Sequence, residues 1–160
     1  METLTFDLLQ FLYHLAIAIL VGGALVLGTV VAPALFASRS RSEAGTLFGS
    51  ALARFDGLAI FSVVAIAVTS VLKAVGFEIT STPEPRLVAR WIALAALCGA
   101  TLYSSAWANP VARAIRSQTP GFDEQPQNAP ARVEFARLHR TSRRAMSAAV
   151  VFGLVALFLS

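Results

Sequence analysis

The chain has 160 residues, of which 56% are hydrophobic and 14% charged, and its mean hydropathy of +0.69 lies well outside the range of soluble domains. Thirteen basic residues against nine acidic ones give a net charge of +4, but they sit between apolar runs rather than beside stacking aromatics, which argues for a bilayer and against nucleic acid. The single cysteine, Cys98, allows neither an intramolecular disulfide nor a spaced-cysteine metal site.

Between Asp7 and Arg39 the chain carries no formal charge apart from whatever His14 holds. A bilayer core needs only about 20 apolar residues, so a first span over about 8–36 crosses with room to spare. The N-terminus, Met1-Glu2-Thr3 with Asp7 and no early Lys or Arg, lacks the basic start of a cleaved signal peptide and is expected to be retained. Residues 37–54 follow as a loop, in which Ser40-Arg41-Ser42-Glu43 has capping-box spacing and Leu47, Phe48, Ala51, Leu52 and Phe55 recur at helical intervals. An amphipathic helix is expected to feed the second span, about 55–77, with Lys73 as a snorkelling anchor. The third span, about 88–109, is expected to end at Asn109-Pro110, because proline biases the preceding residue away from helix. Within the loop 110–139, the stretch from Gln118 to Pro130 holds three prolines and a glycine and reads as mobile. A helix resumes at Ala131 and runs into the fourth span, about 140–159, with Arg143 and Arg144 snorkelling.

Lipid leaves only helices or closed barrels as spanning structures, and these runs are too long and uniformly apolar for barrel strands. The expected fold is therefore all-α: a polytopic four-transmembrane-helix bundle with cytoplasmic amphipathic helical extensions, one domain over 1–160. Ten of the thirteen basic residues lie after the first span (Arg39, Arg41 and Arg54) or ahead of the apolar run of the fourth (Arg113, Arg116, Arg132, Arg137, Arg140, Arg143 and Arg144), with Lys73, Arg86 and Arg90 on the other side. The positive-inside rule puts the ten in the cytoplasm and both termini outside. Tyr13 and Trp91 then fall near the outer interface, and Tyr103 and Trp107 near the inner one.

Polar groups in the bilayer are costly unless they face the bundle. On the third span Cys98, Thr101, Ser105 and Asn109 form a stripe expected to point inward, with Ile92, Leu102 and Val111 toward lipid. On the second, Ser62, Thr69 and Lys73 share a face. His14 lies about 9 Å deep and Cys98 roughly 12 Å deep at 1.5 Å per residue, with Ser70 at a similar level, so His14, Ser70, Lys73 and Cys98 form a candidate polar cluster. Imidazole with a thiol suits Cu(I) or haem iron; the alternative is that His14 hydrogen-bonds a neighbouring helix while Cys98 packs as an apolar residue. At the other end His139 and Ser142 form a second candidate polar site, some 20 Å from His14 and unable to share a metal with it. Arg137, Arg140 and Arg144 line one face and are expected to contact anionic headgroups. Asp56 is read as an ion-pair partner of Arg54. No Ser-His-Asp order, paired carboxylates, glycine-rich phosphate loop or HExxH pattern is present, so an enzyme of an ordinary soluble class is not expected.

Gly22-Gly23, Ala32-Pro33-Ala34-Leu35-Phe36, Glu43-Ala44-Gly45 with Phe48, and Phe135-Ala136-Arg137-Leu138-His139-Arg140-Thr141-Ser142 resemble the family typified by transmembrane protein 205. Its bacterial branch is a domain of unknown function, which implies the bacterial inner membrane. Family members usually carry asparagine four residues after the serine, where this chain has Met146. The chain is also distantly similar to four-helix copper-resistance membrane proteins and, through His14, to the haem-binding protoporphyrinogen oxidase of bacteria. Together these readings describe a non-enzymatic helper or small-solute and metal handling unit without a cofactor. Small-xxx-small spacings such as Ala24-xxx-Gly28-xxx-Ala32 suit self-association into a homo-oligomer. The alternative is a haem- or copper-binding membrane protein using His14.

Overall fold

The computed structural model describes residues 2–79 and 82–160, and no strand occurs among them. Helix α1 (Glu2–Val26) passes through a π turn at Leu27–Val31 into α2 (Ala32–Ser38). Ser40 then caps α3 (Arg41–Lys73), its hydroxyl accepting from the Glu43 backbone at 3.3 Å as the capping-box spacing requires. The amphipathic stretch and the second span are thus one uninterrupted helix, which a second π turn extends over Ala74–Glu78. Helix α4 (Pro85–Thr101), a π turn (Leu102–Ala108) and α5 (Asn109–Gln118) form the third rod, and α6 (Pro130–Phe158) the fourth. All four rods are long and apolar enough to cross a membrane.

Asn109-Pro110 does not end the third rod. The π turn just before it shifts the hydrogen-bond register, so that the Asn109 N–H reaches the Ser104 carbonyl and Pro110 falls in the first turn of α5. Such local adjustments let a membrane helix absorb a proline whose missing N–H would otherwise leave carbonyls unpaired.

Helix α1 packs chiefly on α3, α4 on α6, and α1 on α6. The main core joins Tyr13, Ile17, Leu20 and Val21 of α1, Val63 and Ile66 of α3, Leu94 and Leu97 of α4, and Ala156 of α6. Gly153 lets α6 approach this core: a Cβ there would stand 2.5 Å from Val21 Cγ2 and 3.0 Å from Leu97 Cδ1. A smaller cluster of Ala108, Ala112 and Leu138 joins α5 to α6. On the third rod Thr101, Ser105 and Asn109 are buried and Cys98 is half-buried, while Ile92 and Leu102 are exposed as the stripe requires. Val111, expected to face lipid, packs instead against the smaller cluster.

The segment between α5 and α6, expected to be mobile, is tied down. Phe122 is buried edge-to-face on Phe135 with ring centroids 5.2 Å apart, and Arg132 donates to the carbonyls of Phe122, Asp123 and Gln125. Asp123 accepts from Ser42 and Arg116, both at 2.8 Å. Gly121, at φ 60°, supplies the left-handed residue that the turn needs.

Candidate functional site

At the end that carries both termini, Lys73 donates to the Gln10 side-chain carbonyl and pairs with Glu78 at 3.4 Å. Its ammonium also lies 4.8 Å from the Tyr13 ring centroid and 5.4 Å from that of Phe6. Glu78 accepts from Arg90 as well. Lys73 is 1% exposed and is therefore not a snorkelling anchor. The π turn that follows it brings Glu78 back as a counterion, and aromatic faces and an amide replace water around the charge. Tyr13 is likewise buried in the core, whereas Tyr103 and Trp107 face outward.

Because the Gln10 carbonyl accepts from Lys73, its amide group is the one 3.1 Å from His14 Nε2, which makes that ring nitrogen an acceptor. Ser160 Oγ lies 2.9 Å from the same nitrogen. The structure thus links His14 to Lys73 through Gln10, and no hydrogen bond among the described residues joins Ser70 or Cys98 to them. Cys98 packs against the apolar core, and Ser70 Oγ is buried without a hydrogen-bond partner. Among the described residues no three His, Cys, Asp or Glu side chains group as metal ligands. In this arrangement the Nε2 lone pair of His14 faces the Gln10 amide.

A second polar network closes the opposite end. Asp56, 3% exposed, accepts from Asn109 at 2.8 Å and from Arg113 at 2.5 Å. Asn109 accepts from Ser142 at 2.5 Å, and Ser142 lies 2.8 Å from Ser104. The partner of Asp56 is therefore Arg113 of the third rod, not Arg54, because residues two apart on a helix do not face each other. Sequence reasoning missed Ser104 and the Asp56–Asn109 bond, although Asn109 lay on the polar stripe that pointed to it. Ser142 joins this network, whereas His139 stacks on Phe135 at 6.0 Å with an interplanar angle of 8°.

Beside this network lies a cleft of about 1650 Å³ to whose lining all four rods contribute. Ala24, Leu25, Leu27 and Gly28 on one side and Met146, Val150 and Val151 on the other form its apolar walls. At the loop end it is lined by His139, Ser142 and the arginines 41, 113, 116, 132, 140, 143 and 144, against Asp123 as the one lining carboxylate. Arg113 and Arg116 are neutralised by Asp56 and Asp123. Arg41, Arg140, Arg143 and Arg144 have no ion-pair partner among the described residues. Arg137, outside the cleft, pairs with Glu134 at 3.4 Å.

Comparison with curated proteins and with solved structures finds no match. A family model described as a domain of unknown function (DUF4149) matches residues 15–120, more than half of this four-rod chain, which therefore belongs to that family.

Proposed function

We propose that the chain is a non-enzymatic membrane protein that takes a small amphiphilic solute from the bilayer into the cleft lined by its four rods. The observation that carries this reading is a space of about 1650 Å³ with apolar walls and a cationic end. Drug-sized ligands fill about 300–1,000 Å³, so the cleft has room for a molecule of lipid size. The haem or copper alternative rests on His14 alone, whose Nε2 is engaged by Gln10 and Ser160.

In this reading the arginine-rich end faces the cytoplasm of a bacterial inner membrane and both termini lie outside, supported by the ten-to-three division of basic residues. Arg137, Arg140 and Arg144 contact anionic headgroups there. A resemblance to the transmembrane protein 205 family, carried by the PALF, EAG and FARLHRTS segments, supports this reading. Small-residue faces would support a homo-oligomer.

Native mass spectrometry of protein purified in mild detergent with a lipid extract tests the proposal. Native protein should carry a bound amphiphile, and Gly28→Phe should not, since a Cβ at Gly28 meets nothing within 4 Å and the ring would enter the cleft. Native protein free of amphiphile, or equal loading of the variant, refutes it.

A further inference from the structure

We propose that the ligand of the cleft is an anionic phospholipid, its phosphate held among Arg140, Arg143 and Arg144 and its acyl chains lying between α1 and α6. This rests on the reading of the cleft as an amphiphile site and adds the ligand class. Charge complementarity carries it first. These three arginines line the cleft with no carboxylate partner among the described residues, so the lining holds positive charge that the chain leaves uncompensated. Guanidinium forks match phosphate oxygens in paired hydrogen bonds, a fit that a lysine ammonium lacks.

The order of chemistries along α6 carries it second. Arg140 to Arg144 come first and Met146, Val150 and Val151 follow on the cleft side. At 1.5 Å per residue the apolar section extends about 10 Å beyond Arg144. Leu25 and Gly28 of the first rod line the same space. A charged head followed by an apolar tail is the pattern of a phospholipid. A zwitterionic lipid would bring its own ammonium into the guanidinium group and gain less.

The full chain in detergent is titrated with phosphatidylglycerol and phosphatidylcholine of identical acyl chains, and with glycerol phosphate as the headgroup alone, and bound lipid is read by native mass spectrometry. Native protein should prefer phosphatidylglycerol and bind glycerol phosphate far more weakly. Arg143→Gln/Arg144→Gln should weaken phosphatidylglycerol roughly 30-fold, from about fivefold per arginine at an anionic surface, and weaken phosphatidylcholine less. Arg143→Lys/Arg144→Lys should recover part of that loss. All three pairs of side chains are exposed or replace exposed ones, so the fold is expected to persist, and circular dichroism checks it. Equal affinity for the two lipids in native protein overturns the anionic class while leaving an amphiphile cleft. Unchanged binding of both lipids by Gly28→Phe overturns the cleft reading itself. Glycerol phosphate binding as tightly as the lipid reassigns the site to a soluble phosphate, and a dimer that excludes lipid reassigns it to a second copy of this chain.

Discussion

Replacing Asp56 by alanine should loosen the arginine-rich end of the bundle. In the native chain this carboxylate holds Asn109 at 2.8 Å and Arg113 at 2.5 Å, tying α3 to the third rod. Alanine leaves the Asn109 amide, 4% exposed, without its acceptor, at a cost of about 1–3 kcal/mol. Breaking a fully buried ion pair costs about 3–5 kcal/mol. The Arg113 side chain, however, is 35% exposed, and water recovers part of that charge. The ionic part then falls toward the roughly 1 kcal/mol of exposed pairs, giving about 2–4 kcal/mol in all. At about 2–4 °C per kcal/mol for a chain of this size, a mid-range loss lowers the melting midpoint by roughly 6–12 °C. Thermal unfolding in mild detergent, followed by circular dichroism, measures it. A double-mutant cycle with Asn109→Ala should show coupling of about 0.5–3 kcal/mol, and Arg54→Ala should change little. A midpoint for Asp56→Ala within about 2 °C of native, or additivity with Asn109→Ala, would refute the network.

Gly153→Ala should destabilise by about 1–3 kcal/mol through overpacking, since its Cβ meets Val21 and Leu97, whereas Gly57→Ala, with open space around the new Cβ, should be neutral or up to about 1 kcal/mol more stable; equal melting shifts would contradict this. Ile92→Cys in a Cys98→Ser background should label with a lipophilic maleimide faster than native Cys98, because Ile92 is 64% exposed and Cys98 packs on the core; the reverse order would show that the stripe does not face inward. The hydrogen bond from Ser42 to Asp123, with Arg116 and Arg132 nearby, holds that carboxyl below its ordinary value of 3.8. A depressed folded value means that the anchoring of residues 118–130 is intact above the unfolded value and is lost as pH falls through the folded one. Hydrogen exchange in that segment should therefore rise on acidification below about pH 4, and Asp123→Asn should exchange faster already at neutral pH; pH-independent protection would argue against this anchor.

Four helical rods were legible in the sequence because a long uncharged run in lipid has one common way to pair its own backbone groups. The cap at Ser40 and the inward stripe of Thr101, Ser105 and Asn109 were legible for a related reason: each follows from the local period and geometry of one helix. The partners were not. Lys73 reads as a snorkelling residue from its own neighbours, and its burial depends on Gln10 and Tyr13, some sixty residues away, and on a π turn that no local signal announces. Pro110 reads as a stop by local propensity, yet the bilayer penalises open carbonyls more than a widened turn, and the rod continues. Asp56 has an arginine two residues away and takes another 57 residues on, because helix geometry turns the nearer one aside and bundle packing brings the farther one in. The cleft belongs wholly to the tertiary structure. Its apolar and arginine-bearing residues are spread over every rod, and only the packing of the four rods makes them one surface.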